Sequence, residues 1–330
     1  MKQLIAFFLI FQCWVSFGQV AHKRVVKLMG SRFDITVVAK DVPTAESYID
    51  SAVTEITRIE NLISEWIPET QVSKINRNSG IAPIKVDKEL FDLTKRALQF
   101  SKLTDGAFDI SFASMDKIWK FDGSMTEMPS AEAIKKSVEK VGYENIILDE
   151  KKQTIFLKLP GMKIGFGSIG KGYAADKTKE YLMQKGVVAG IINASGDMNS
   201  WGTQPDGKKF TVGITNPLNK DKIFGIFPLE DNAVVTSGTY EKYVMLNGKR
   251  YSHIIDTRTG YPASGLASVT VFATSAELAN GLSTAIIVMG KDAGMNLIEQ
   301  LPGISCIMVT DDGEISASKN IDLTTIKKDD

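Results

Sequence analysis

The chain has 330 residues, with 39 Lys and Arg against 39 Asp and Glu, and 43% of its residues are hydrophobic. That balance gives no sign of a nucleic-acid surface or of a strongly acidic partner and excludes a strongly basic or acidic chain, while the apolar content suffices for a sizeable core. With two cysteines, Cys13 and Cys306, a disulfide-stapled scaffold is excluded too.

Residues 1–18 read as a secretory signal. Lys2 supplies the positive start, an apolar run follows from Leu4, and Ser16 and Gly18 offer small residues near a cleavage point. The run is too short for a spanning helix and gives way at once to Gln19, His22, Lys23 and Arg24. Gln12 ahead of Cys13 does not suit a lipid-attachment site, so Cys13 is expected to leave with the signal. Cys306 then has no partner and is expected as a core thiol.

Residues 33–39 alternate like a strand, and 44–65 carry a helical stripe of Ile49, Ala52, Val53, Ile56, Ile59 and Ile63. Asp87 is a candidate N-cap for a second helix through Leu90, Leu93, Ala97 and Leu98. Residues 143–158 read as a hairpin with a charged turn. A glycine-rich loop and a helix ending before Gly186 follow, then an apolar strand over 187–192. Further strands are expected near 210–215, 223–228, 233–236, 250–255 and 267–273. Thr274, Ser275, Ala276 and Glu277 read as a capping box opening a helix to about Met289. A helix near 291–300 and strands at 304–309 and 313–317 close the chain. Helices and strands mix without a βαβ period, so the fold class expected is α+β, in one domain over 19–330.

The most informative stretch is Gly165-Phe166-Gly167-Ser168-Ile169-Gly170-Lys171-Gly172. As G-x-G-x-x-G it matches a dinucleotide fingerprint, and as G-x-x-x-x-G-K a phosphate loop whose final Ser/Thr has become Gly172. It also reads as a plain glycine-rich turn. A Rossmann fingerprint belongs in the first strand–helix turn of its domain, and here it comes late. Gly172 removes the hydroxyl that would hold Mg²⁺. Neither standard motif is satisfied in full, although a helix N-terminus behind glycines suits a diphosphate.

Other marked segments are Met29-Gly30-Ser31, the run from Thr104 through Ala107, Phe108 and Asp109, the run from Asn193 to Asp197, the run from Thr236 to Tyr240, the run from Tyr251 through His253 and Asp256 to Pro262, and the run from Ala279 through Asn280 and Ser283 to Thr284. Asn280, Ser283 and Thr284 share one helix face at i, i+3 and i+4. Helical Ser and Thr also bond back to their own backbone, which is the plainer account of such a pair. Lys171 reads either as a phosphate contact or as a solvated lysine, and His253 either as a general base or as a satisfied strand histidine.

In this order the segments resemble the FAD:protein FMN transferases, the ApbE-type flavin transferases, over nearly the whole chain beyond the signal. The resemblance implies a single mixed α/β unit of two intimate lobes with the ligand in a central cleft. It implies a periplasmic, Mg²⁺-dependent enzyme that moves FMN from FAD onto a Thr hydroxyl of an exported flavoprotein acceptor and releases AMP. A homodimer is compatible with it. By resemblance Met29, Gly30, Ser31, Trp66, Ala107, Phe108, Asp109, Gly165, Lys171 and Ile255 line the FAD site, and His253 is the catalytic base. The carbonyl of Ser168 with Asn280, Ser283 and Thr284 would hold the metal. Gly165 and Asn280 stand where the family usually has Asp, Gly281 where it has Ala, Ser195 where it has Gly, and Thr257 where it has Pro. Asn lends an oxygen without charge, which weakens a hard-cation site. The alternatives are a catalytically weakened FAD- or FMN-binding protein and a nucleotide-binding scaffold with structural glycine loops.

Overall fold

A computed structural model describes residues 18–321 and 323. The expected signal, but for its last residue Gly18, lies outside the described residues, and no helix among them is long and apolar enough to cross a membrane.

One eight-stranded sheet organises the molecule, and its spatial order follows the chain. Its strands are β1 (Val20–Leu28), β2 (Ser31–Ala39), β3 (Ala189–Ala194), β4 (Asp197–Trp201), β5 (Ala233–Gly238), β6 (Leu266–Ala273), β7 (Ser305–Thr310) and β8 (Ile315–Ala317). Every neighbouring pair is antiparallel, so no βαβ crossover exists here to make a Rossmann unit. Five of the helices are α1 (Val42–Ile63), α2 (Lys88–Leu103), α3 (Gly170–Gln184), α4 (Ala276–Met289) and α5 (Lys291–Glu299).

Alternation along β2 puts Phe33, Ile35 and Val37 under α1, where they meet Ile49, Ala52 and Ile56 with Leu282 and Ile286 of α4. The other sheet face, with Val38, Ala189 and Val234, is covered by a hairpin of Phe210–Asn216 and Asn219–Leu229. A second core begins where α1 runs on past the sheet. Ile59, Leu62 and Ile63 pack there with Leu90 and Leu93 of α2, Ile155 and Leu157 of a small three-stranded sheet, Met162 and Ile164 just ahead of the glycine loop, and Ile169 within it. Both lobes share α1, α3 and α4, which send residues into each core, so the expected α+β unit of two intimate lobes is what forms. The seam between them is the cleft.

Local differences from the sequence reading have physical causes. The capping residue of α4 is Ser275, whose Oγ accepts from the Leu278 N–H at 3.1 Å, rather than Thr274. Glu277 does not reach back to the cap, because Arg96 holds it through a two-pronged ion pair. Asp87 precedes α2 as expected, but its carboxylate accepts from Gln71 instead of capping. β1 was not anticipated, since its pattern alternates only between exposed and half-buried. Cys306 is a buried free thiol, as expected, and burial pushes it up to about 12.

Candidate active site

Turns deliver the first residues of the site. Leu28 pairs with Ser31, leaving Met29 and Gly30 as a two-residue hairpin turn with φ of 49° and 66°. Both lie in the left-handed region, costly for Met, and the turn is held by the Met29 N–H donating to Glu60 Oε2 at 3.0 Å. Met29 thereby reaches the cleft beside the glycine loop. Across the sheet, Ser195 and Gly196 make the equivalent turn between β3 and β4, with φ of 55° and 99°. Ser195 thus occupies a conformation that favours glycine, and its Oγ is tied to the Arg32 carbonyl at 3.0 Å.

The glycine loop enters α3 with no side chain of the described residues capping it. Its glycines serve close approaches. A Cβ on Gly170 would lie 2.8 Å from Ile63 Cδ1, and one on Gly172 would lie 2.3 Å from the Ala276 carbonyl oxygen. The position that a phosphate loop gives to Ser or Thr is therefore glycine because α4 begins against it.

At the centre Lys171 Nζ meets Asp197 Oδ2 at 3.1 Å. Asp197 is 2% exposed, and burial pushes its carboxyl up despite the opposing Lys171 charge. Asp197 Oδ2 and the Ser168 carbonyl face one end of the buried Asn280 amide. With the amide nitrogen assigned to that end, it donates to them at 3.2 and 3.1 Å. Ser283 Oγ donates to the Asn280 carbonyl at 3.1 Å and pairs with Ser237 Oγ at 2.8 Å; Thr284 Oγ1 is 3.4 Å from Ser237 Oγ. Ser283 is thus fully buried and back-bonded, while Thr284 is half-buried.

His253 lies exposed just beyond the strand Lys249–Ser252. Its Nδ1 is 3.0 Å from the Lys242 carbonyl, and Phe121 stands edge-on to its ring. That bond makes Nδ1 the N–H side and leaves Nε2 as the basic nitrogen. Neighbouring groups that shield part of the ring from water are the largest influence and push its pKa below 6.5, with the Lys242 and Lys171 charges adding to the same effect. Asp256 is not its orienting partner. That carboxylate is engaged by Arg258 at 2.9 and 3.0 Å.

Two open cavities share the wall of Glu65 and Trp66, and the first reaches this centre at Lys171. One, of about 450 Å³, is lined by Met29, Gly30, Ser31, Glu65, Trp66 and Lys171 among others. The second, of about 540 Å³, is lined by Trp66, Phe121, Lys117 and Ile255 among others and shares Glu65 with the first. Trp66 is 74% exposed, with Lys117 Nζ 4.7 Å above its ring. The structure therefore brings together Met29, Gly30, Ser31, Trp66, Lys171, Ser168 and Asn280. Ala107 and Phe108 are instead buried in the second core, and the Asp109 carboxylate accepts from Ser111 and from the Tyr143 N–H. Their turn reaches the His253 segment through its backbone, where the Gly106 carbonyl accepts from Thr257 Oγ1 at 3.4 Å. Gly165 is buried beneath Glu65.

A cleft with a helix N-terminus free of a side-chain cap, a lysine at its first turn and apolar lining residues is chemically suited to a diphosphate-bearing ligand. The comparisons narrow that class. The ApbE family matches residues 29–308, and the chain belongs to that family. It is 32% identical over 293 residues to an FAD:protein FMN transferase of Klebsiella pneumoniae, covering 88% of this chain and 90% of that protein. A Salmonella typhimurium protein of the same name is 28% identical over 294 residues, covering 87% and 84%. Among solved structures, the ApbE protein of Thermotoga maritima superposes with a TM-score of 0.83 at 31% identity, covering 91% of this chain and 97% of that one. The flavin transferase ApbE of Vibrio cholerae gives 0.80 at 25% identity, with 91% and 98% covered. These relatives support an enzyme of the flavin-transferase type with FAD as substrate.

Proposed function

We propose that this protein transfers FMN from FAD to the hydroxyl of a Thr side chain on an exported flavoprotein, acting on the periplasmic side of the membrane. The observation that carries the reading is the convergence of Lys171, Asp197, Ser168 and Asn280 at one helix N-terminus between the Trp66 and Met29 walls. Lys171 and the free N–H groups of α3 offset the diphosphate charge, and the walls hold the rings. His253 Nε2 accepts the proton of the acceptor hydroxyl as its oxygen bonds to the phosphorus of the FMN half. The anhydride bond breaks in the same step, and the electron pair leaves with AMP.

The donors at the centre are oxygens, which suits a hard cation such as Mg²⁺. The Ser168 carbonyl, the Asn280 amide oxygen once that amide turns over, and the Ser283 and Thr284 hydroxyls would hold it. It would neutralise phosphate charge when bound. The set is poor in charge, for among the described residues no group of three or more His, Cys, Asp or Glu is placed to hold a metal. Asp197, the nearest carboxylate, already pairs with Lys171. This observation favours the second reading, an FAD- or FMN-binding protein of weakened transfer activity.

Mixing the protein with FAD, Mg²⁺ and a flavinylatable domain, and reading covalent flavin fluorescence on a denaturing gel, separates the two. Covalent flavin on the acceptor with AMP release supports transfer. A yellow protein without either supports binding alone.

A further inference from the structure

Glu65 follows the end of α1 and belongs to the wall common to both cavities. Its carboxylate lies directly over Gly165. An ideal Cβ on that glycine would stand 2.3 Å from Glu65 Oε2, 2.8 Å from Cδ and 3.0 Å from Oε1. The backbone there is clamped. The Gly165 N–H donates to the Ile110 carbonyl at 2.9 Å, and Asn76 grips Ile164 at both ends, accepting from its N–H at 2.8 Å and donating to its carbonyl at 3.0 Å. A side chain at position 165 would therefore push the Glu65 carboxylate away rather than move the backbone.

The carboxylate itself has no hydrogen-bond donor among the described residues. Lys117 and Lys163 act on it only through their charge, while burial pushes its pKa above 4.5. A half-buried acceptor facing a cavity with no protein donor is poorly satisfied on its own and well satisfied by a ligand that brings N–H or O–H groups.

We propose that Glu65 is a specificity-determining residue of the cleft: its carboxylate accepts hydrogen bonds from N–H or hydroxyl donors of the bound dinucleotide, and residue 165 is glycine so that this carboxylate can occupy its place. The inference rests on FAD being the ligand. Two parts of FAD carry such donors, the flavin with its polyol and the adenosine half, and the test separates them.

FAD, riboflavin and ADP are titrated by calorimetry against the full chain and its Glu65→Gln, Glu65→Ala, Gly165→Ala and Glu65→Ala/Gly165→Ala variants, each checked for an unchanged melting transition. Glu65→Gln and Glu65→Ala should each weaken FAD by about tenfold or more, because a charge-assisted bond is lost. Either riboflavin or ADP should weaken by a similar factor while the other is unchanged, which identifies the half that Glu65 reads. Gly165→Ala should weaken FAD to a similar degree, and adding Glu65→Ala should cost little more, because the carboxylate is already displaced. FAD affinity within twofold of the original in both Glu65 variants would overturn the inference, as would fully additive losses in the double variant. No FAD binding by the unaltered chain would instead overturn the functional reading on which it rests.

Discussion

The N-terminus of α3 opens into the cleft, whereas that of α4, packed against it, is closed by side chains. Asp176 accounts for most of the difference. Its Oδ1 accepts from the Ala276 N–H at 2.7 Å and from Asn199 at 2.6 Å; its Oδ2 accepts from the Glu277 N–H at 3.0 Å and from Ser275 Oγ at 2.6 Å. Ser275 adds its own cap. One helix end thus carries a carboxylate on its N–H groups; at the other the Asp197 carboxylate pairs with the Lys171 side chain and does not cap the helix, so that end is left for an anion from solution. Gly172 lets the two ends touch. Helix N-termini are common, and α2 and α5 lack side-chain caps too, so what marks the α3 end is the missing cap together with Lys171 and the cavity it lines.

If the open end is where the diphosphate reacts, removing His253, the proposed base, should have the largest effect. His253→Ala should lower the flavinylation rate by roughly a hundredfold or more while leaving FAD affinity nearly unchanged, since a general base acts in the transition state. Rates measured at saturating FAD check this, and an unchanged rate would reduce His253 to a structural role.

At the closed end, Asp176→Ala should cost about 3 kcal/mol of stability, because buried donors lose a charged acceptor together. Denaturant unfolding reads the loss; a cost below about 1 kcal/mol would show that water replaces the carboxylate and that the two ends differ less than their hydrogen bonds suggest.

At the open end, Lys171→Ala should weaken FAD by about ten- to a hundredfold and leave riboflavin unchanged, since only FAD brings phosphates there. Equal losses for both would assign Lys171 to packing.

Asn280→Asp should lower the Mg²⁺ concentration needed for half-maximal activity several-fold, through an added charge in a nearly isosteric side chain. Metal titration by calorimetry provides a readout besides rate. Neither tighter metal binding nor any transfer would favour the flavin-binding reading.

The smallest effect is on pH. The depressed His253 pKa keeps the ring neutral below 6.5, so transfer should hold as pH falls to 6.5 and decline only below it. Lys171→Ala removes one of the charges that depress it, so the declining limb should move to higher pH, provided activity suffices to measure it.

Much of this protein is legible in its residues. The apolar stripe of α1, the alternation of β2 and the stop at Gly186 fix local structure, because each depends on neighbours within a turn or two. The glycine loop, Lys171 and the Asn280 face were visible for the same reason. Tertiary structure alone decided how these parts are used. Gly172 reads as a defective phosphate loop until the Ala276 carbonyl is seen beside it, and Asp176 reads as an ordinary helix residue until it closes another helix. Asp256 sits near His253 in sequence but turns to Arg258, leaving a backbone carbonyl to orient the imidazole. Glu65 carries no motif, because its place depends on a side chain absent from Gly165, far along the chain. Spacing along a chain reports contacts within one element, whereas a site is set by how elements meet, and those distances belong to the packed core.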